Sequence, residues 1–144
     1  MIELVTDKSE FFADWGMKQL GQEYNFDNSP IVAVGLVEDG DLIGSLMWHD
    51  YIGHSIQFSI ATTTTRWCNR RILNYIFSYP FHQLKCLRIT VQVAKMNKAS
   101  RKLIEGCGFK YEGNIRKGQA NSDNTIIYGM FQHECRFLRN DNKR

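Results

Sequence analysis

The stretch from Asn97 to Arg116, NKASRKLIEGCGFKYEGNIR, most constrains the fold of this 144-residue chain. Asn97 has a short amide side chain that can accept a hydrogen bond from a free N–H group of a first helical turn, so it is suited to cap a helix. Apolar side chains then recur at helical spacing as far as Cys107. Gly108 follows, a residue that readily adopts the left-handed backbone conformation at a helix end. The stretch therefore predicts a short capped helix followed by a strand that begins near Lys110.

The rest of the chain alternates between strand and helix patterns. Strands are predicted over 2–5, 31–38, 41–48, 54–62, 87–93, 110–116 and 125–132, and helices over 8–20, 66–78 and 97–107. Asp39-Gly40 is typical of a tight hairpin turn, and Pro80 is expected to end the second helix. Because a strand–helix–strand unit such as 54–93 normally forms a parallel crossover, the sheet is expected to be mixed. The order predicts a single α/β (α+β) domain over 1–144.

Composition and cysteine spacing restrict the class of protein. The net charge is +3, the N-terminal segment has early acidic residues and no long apolar run, and no window has the roughly 20 apolar residues of a membrane helix. The four cysteines are widely spaced, with no Cys-x-x-Cys pair: Cys68, Cys86, Cys107 and Cys135. This spacing argues against a zinc site and against a disulfide framework. We therefore expect a cytoplasmic protein with no metal site, no membrane partner and mostly buried cysteines.

The order Asn-x-x-Ser, apolar helix, Gly-Phe and Glu-Gly-x-x-Arg resembles the last motif of the GCN5-related N-acetyltransferase (GNAT) superfamily. The matching positions are Asn97, Ser100, Gly108, Phe109, Glu112, Gly113 and Arg116. The ending is most similar to the branch that acetylates protein N-terminal amines, including those of ribosomal proteins. The resemblance covers nearly the whole chain and is strongest from Arg66 to Glu134. It implies a mostly antiparallel sheet of about seven strands with helices on both faces.

The resemblance also implies acetyl-coenzyme A as the acetyl donor. In this fold the strands predicted over 54–62 and 87–93 splay apart. The pantetheine arm bonds the backbone of the first strand, here at Ser59, Ile60, Ala61 and Thr62. Asn97 and Ser100 match positions that approach the arm and the thioester.

In the family the pyrophosphate lies on the next loop and helix N-terminus, where free N–H groups and the helix dipole attract phosphate. The aligned loop here is Arg66, Trp67, Cys68, Asn69, Arg70 and Arg71, and an Arg-Trp-x-x-Arg arrangement is similar to that of phage-encoded GNAT-like proteins. Asn69 and Arg71 replace small residues of the family pattern. Asn tolerates left-handed backbone angles, and three arginines can supply charge, with Arg66 and Arg70 expected on one helix face. The alternative is a loop that no longer binds coenzyme A.

Three residues are candidates for handling protons during direct attack of an amine on the thioester, a reaction in which positioning supplies much of the rate. The family often has a Tyr seven residues after the Asn, but here that position is Ile104. Glu112 is the first candidate, with an ion pair to Arg116 as its structural alternative. Tyr128 could donate from the last strand or be packed there, and Ser100 could relay a proton or be an ordinary helix residue.

Two histidines flank the turn before the strand predicted over 54–62. At about 3.3 Å per residue, His49 and His54 are expected roughly 20 Å from the thioester, which belongs near the other end of that strand. Asp50 is excluded by the same argument.

The first function hypothesis is an N-acetyltransferase that acts on a primary amine, either a protein or peptide N-terminus or a small amine. Acceptor specificity is expected in the loops 21–30 and 117–124. The second is a catalytically degenerate GNAT-fold protein that serves as a binding or structural component, for instance of a virus particle. A closed ladder between strands 54–62 and 87–93 would favour the second hypothesis.

Nucleic acid is a weaker candidate partner, and a homodimer stays open. The basic residues cluster before two helices and in the C-terminal tail: Arg66, Arg70, Arg71; Lys95, Lys98, Arg101, Lys102; Arg136, Arg139, Lys143, Arg144. No groove-reading helix or stacking motif accompanies these charges.

Overall fold

The computed structural model describes residues 1–21 and 30–138. Its strands are β1 (Ile2–Val5), β2 (Ile31–Glu38), β3 (Asp41–His49), β4 (Ser55–Thr62), β5 (Arg88–Ala94), β6 (Lys110–Ile115) and β7 (Thr125–Phe131), and its α-helices are α1 (Ser9–Gln19), α2 (Arg70–Ser78) and α3 (Lys98–Cys107). The seven strands form one sheet in the order β1-β2-β3-β4-β5-β7-β6. Neighbours are antiparallel except β4 and β5, which are parallel. The predicted element order and mixed sheet are confirmed.

Local sequence signals explain several element ends. The Asn97 side chain accepts a hydrogen bond from the Ser100 N–H (3.2 Å), and Gly108 ends α3 with φ of +106°. At the β2–β3 hairpin, Asp39 and Gly40 both have positive φ, 53° and 85°. Two positive angles belong to the turn type whose twist matches that of the flanking strands. Both predictions are confirmed.

The second helix begins later than predicted, ends at Ser78 as predicted, and is followed directly by a π-helical turn. Asn69 caps α2 by accepting a hydrogen bond from the Ile72 N–H (3.0 Å), so the helix begins at Arg70 and Arg66 lies in the preceding loop. The expectation that Arg66 and Arg70 share a helix face is therefore wrong. Pro80 does not stop the helical path, because a π-helical turn continues over Tyr79–Gln83 and the proline lies in its first turn, where a missing N–H costs little.

Helices cover both faces of the sheet. The larger core joins α2 and α3 to β2–β5 and β7, with Trp48 at its centre donating a hydrogen bond to the Ile76 carbonyl (3.2 Å). The smaller core lies on the opposite face, where Phe12 and Ala13 of α1 pack on Met47 and its strand neighbours. No helix within the described ranges is long and apolar enough to cross a membrane.

Three of the four cysteines are buried, as predicted: Cys86, Cys107 and Cys135, with Cys68 half-buried. All four have free thiols. Burial raises the pKa of the Cys107 thiol from 9.0 to about 11, because a thiolate would lose its hydration at the end of α3.

We predict that Gly35→Ala destabilises the packing of α1. A Cβ at Gly35 would lie 2.5 Å from atoms of the buried Phe12 ring, so the ring and helix must move. We expect a loss of about 1–3 kcal/mol in the free energy of unfolding by urea. The matched control is Gly106→Ala in α3, where a Cβ meets nothing within 4 Å. That change should be neutral or stabilise by up to about 1 kcal/mol, and equal effects of the two variants would contradict the packing.

We also predict that Cys107 makes stability depend on alkaline pH. The folded pKa is raised above 9.0 to about 11, so its contribution is complete below pH 9 and is lost as pH rises through 11, where the unfolded thiol ionises first. Wild type should therefore lose about 2–3 kcal/mol more than Cys107→Ala over that range, measured by urea unfolding at each pH. Parallel pH curves for the two proteins would refute the burial of this thiol.

Candidate functional site

The parallel strands β4 and β5 stop pairing partway along their length. Their ladder contains three residue pairs and ends with Gln57 opposite Thr90. Beyond that point β4 remains paired to β3 as far as Thr62, and β5 remains paired to β7 as far as Ala94. The two strands thus diverge while each stays within the sheet. The predicted splay is confirmed, and the closed ladder that would have favoured a binding module is not formed.

A cavity of about 680 Å³ opens from this gap. Volumes of this size are typical of small-molecule and cofactor sites. Its apolar wall comes mainly from α2, α3 and the adjacent strands: Phe58, Ile60, Trp67, Leu73, Ile76, Phe77, Val91, Val93, Leu103, Ile104, Cys107 and Phe109. Polar side chains lie at several points around it: His49, Gln57, Ser59, Gln92, Asn97, Ser100, Gln119 and Thr125. The site can therefore hold a long ligand that has both apolar and hydrogen-bonding parts.

The predicted donor-binding residues fall into two groups. Ser59, Ile60, Trp67, Asn97 and Ser100 line the cavity. The others do not: Ala61 packs beneath α1, the Thr62 hydroxyl donates to the Ile43 carbonyl (3.1 Å), and Arg66, Cys68, Asn69, Arg70 and Arg71 form the loop and first turn before and within α2. Their role in binding stays a prediction.

Two of the three loop arginines already have partners. Arg66 forms an ion pair with Glu38 of the β2–β3 hairpin (2.6 Å), and its hydrogen bond lowers the pKa of that carboxyl. Arg71 donates to the Ile2 carbonyl (2.6 Å). Within residues 1–21 and 30–138, the Arg70 side chain forms no hydrogen bond or ion pair, and its guanidinium lies 5.9 Å from the Phe137 ring centre. Arg70, in the first turn of α2, is thus the loop arginine best able to meet an anion.

The three predicted catalytic residues are not brought together. Ser100 lines the cavity from the first turn of α3. Glu112 lies elsewhere and pairs with Arg88 (2.5 Å) rather than with Arg116, so the expected pairing is wrong. A Cβ on Gly129 would collide with this ion pair, so a glycine there leaves room for it. The catalytic role of Glu112, like that of Ser100, stays a prediction.

Tyr128 is fully buried beneath α3. Its hydroxyl donates to Glu105 Oε2 (2.5 Å) and accepts from Arg101 Nε (3.0 Å). Burial raises the pKa of the hydroxyl, which keeps it protonated near neutral pH. These contacts fit the packed-strand alternative, since Tyr128 is not among the residues that line the cavity.

The exclusion of His49 on distance is wrong. His49 lies directly opposite Gln57 in the β3–β4 ladder, and its Nε2 is 2.9 Å from Ser59 Oγ. Its Nδ1 is 2.5 Å from Asp50 Oδ2, and Asp50 itself is not among the residues that line the cavity. The sequence argument counts distance along β4 alone, whereas the antiparallel register sets the last residue of β3 beside Gln57, the third residue of β4. His54 is exposed and is not among the cavity residues.

The two loops predicted to set acceptor specificity both reach the cavity. Gly118, Gln119 and Ala120 line it from the β6–β7 loop, and Gln119 Nε2 donates to Thr125 Oγ1 (2.6 Å). Gly21 lines it from the end of α1, and residues 22–29 of that loop lie outside the described part of the chain, as do Arg139, Lys143 and Arg144 of the basic tail.

Comparisons with known proteins address the fold. No protein-family model matches the chain, and no curated protein matches it in sequence. Among solved structures, a spermidine N-acetyltransferase SpeG chimera from Vibrio cholerae and hSSAT is 20% identical, with a TM-score of 0.71, over 96% of this chain and 98% of that one. The ribosomal-protein-S5-alanine acetyltransferase from Vibrio fischeri is 17% identical, with a TM-score of 0.64 over 74% of this chain. A probable acetyltransferase is 21% identical, with a TM-score of 0.64 over 72% of this chain.

The chain spans 63% of the probable acetyltransferase and 64% of the Vibrio fischeri protein. At these identities the likeness concerns the backbone arrangement. The seven-stranded, mostly antiparallel sheet of this chain, with helices on both faces, thus has the overall fold of these acetyltransferases.

Proposed function

We propose that this protein is an N-acetyltransferase that moves the acetyl group of acetyl-coenzyme A to a primary amine in a ternary complex. The observation that carries this proposal is the divergence of β4 and β5 after Gln57 and Thr90. The facing edges of the two strands no longer bond to each other there. An extended chain of amide groups such as pantetheine can bond to such an edge as another strand would.

The residues around the gap fit the parts of this donor. Ser59 and Ile60 place the β4 backbone at the cavity, where N–H groups aimed at a thioester oxygen would favour attack on its carbonyl carbon. Asn97 and Ser100 border the same cavity from the start of α3. The N-terminus of α2, with the uncommitted charge of Arg70, offers N–H groups and a guanidinium to the pyrophosphate.

The acceptor is proposed to be a protein or peptide N-terminus or a small amine. One similar structure is named for spermidine and another for the alanine of ribosomal protein S5, so the shared fold accommodates both kinds of acceptor. Residues 118–120 and Gly21 border the cavity and are suited to select between a protein N-terminus and a small amine. Free thiols and buried cysteines support a reducing compartment, and we propose the cytoplasm.

The second candidate is a GNAT-fold protein that binds a partner or forms part of an assembly without catalysis. Two observations favour it: Arg66 and Arg71 are held by other parts of the chain, and Ile104 occupies the position where many of these enzymes have a Tyr. This candidate predicts that acetyl-coenzyme A does not bind.

We predict that Arg70→Glu weakens acetyl-coenzyme A binding by about tenfold or more in calorimetric titration, because a charge-assisted hydrogen bond to phosphate is lost and a repulsive charge is added. The matched control is Lys102→Glu, which makes the same change of charge on the exposed face of α3 and should bind as wild type does. Equal binding by Arg70→Glu and wild type would refute the phosphate assignment. No saturable binding by wild type would refute acetyl transfer and favour the second candidate.

A further inference from the structure

We propose that His49, oriented by Asp50 and hydrogen-bonded to Ser59, takes up the proton that the acceptor amine must lose. This inference rests on the proposed acetyl transfer. It assigns the proton to a group on β3, away from the three catalytic candidates of the sequence analysis, Glu112, Tyr128 and Ser100.

The three side chains form a continuous hydrogen-bond network, Asp50–His49–Ser59. Asp50 Oδ2 lies 2.5 Å from His49 Nδ1, and His49 Nε2 lies 2.9 Å from Ser59 Oγ. A carboxylate can only accept, so its contact fixes the ring hydrogen on Nδ1 and leaves the lone pair of Nε2 facing Ser59. The Ser59 hydroxyl therefore donates to the ring, and its oxygen lone pairs remain able to accept a proton. A neutral imidazole held in this way is suited to act as a base.

This hydrogen-bond network lies at the place where the amine would attack the thioester. Ser59 is two residues beyond Gln57, the last β4 residue paired to β5, so it lies where the gap opens. His49, Gln57 and Ser59 share one face of the sheet, since His49 is directly opposite Gln57. All three line the cavity, opposite the apolar wall formed by α2 and α3. A base at this point would meet an amine that enters from the α1 side.

The backbone at Asp50 sets the position of its carboxylate. Asp50 has φ of +54°, a left-handed conformation that is uncommon for residues other than glycine. It directly follows the last residue of β3, and this turn carries its carboxylate back onto the His49 ring.

Exposure provides a route for the proton to leave. The His49 side chain is 19% exposed and the Asp50 side chain is 61% exposed. The Ser59 end of the hydrogen-bond network therefore faces the cavity, and the Asp50 end faces water. Among the described residues, the ionisable group in contact with the ring is Asp50. On the same sheet face, Arg88 and Glu112 pair with each other, and the buried face of α1 is formed by Phe12, Ala13 and Gly16.

The amine lone pair forms an N–C bond to the acetyl carbonyl carbon, and the C–S bond breaks with its electron pair on sulfur. The amine proton passes to Ser59 Oγ as the Ser59 hydroxyl proton passes to His49 Nε2. The imidazolium then releases this proton to water, and the thiolate takes one from water, so the net change moves one proton from the amine to the thiol.

The test compares His49→Gln with His54→Gln, a control that removes an exposed imidazole outside the cavity. The donor is acetyl-coenzyme A, and the acceptors are spermidine and a peptide that begins with alanine. Turnover is measured as the release of the coenzyme A thiol. We expect His49→Gln to lower kcat by about 10²–10⁴-fold on the acceptor that wild type uses. Its affinity for acetyl-coenzyme A, measured by calorimetry, should stay at the wild-type value. Asp50→Asn and Ser59→Ala should show smaller losses of kcat.

Two readouts separate catalysis from a structural role. The decline of wild-type kcat toward acidic pH, caused by protonation of the imidazole, should be absent in His49→Gln and present in His54→Gln. Added imidazole should restore turnover to His49→Ala. Wild-type kcat in His49→Gln, or loss of acidic decline in Glu112→Gln instead, would overturn the proposal.

Donor binding and turnover together distinguish a failure of the His49 role from a failure of the proposed acetyl transfer. Saturable acetyl-coenzyme A binding by wild type, without turnover of either acceptor, would overturn the role of His49 and leave the donor site standing. Absence of donor binding would overturn the proposed function itself.

Discussion

The constraint on which the site depends is that β4 and β5 are each committed to a different antiparallel partner. β4 follows β3 through to Thr62, and β5 follows β7 through to Ala94, while the parallel ladder between them ends at Gln57 and Thr90. Sheets twist, so two strands held by diverging neighbours separate unless their own ladder holds them. The helices α2 and α3 then close one side of the opening with apolar side chains, and polar groups border the rest.

The fold could be predicted because its signals are local. Helix and strand periods, the Asn97 cap, the left-handed Gly108 and the Asp39-Gly40 turn each depend on a few neighbouring residues, and all appear in the structure. The splay was an expectation from the family resemblance, since no local pattern encodes where two distant strands stop pairing.

The site was harder to predict from the sequence than the fold, because its contacts join residues that are far apart along the chain. The partners of Arg66 and Arg71 are 28 and 69 residues away along the chain, so their charges could not be assigned. His49 was misplaced because the register of the β3–β4 pair depends on the connection between them. The adjacent His49 and Asp50 at the end of β3 are a sequence signal for such a site. That signal can be interpreted only when the register between β3 and β4 is known.

The ion pair between Arg88 and Glu112 has a consequence for the outer edge of the sheet. It joins β5 to β6 across the intervening β7, at a point where Gly129 leaves room. A second pair, Lys110 with Glu134 (2.8 Å), ties the start of β6 to the segment after β7. Charged side chains on a terminal strand oppose the addition of a strand from another molecule. Lys110 and Glu112 therefore make the terminal strand β6 a poorer template for a strand from another molecule.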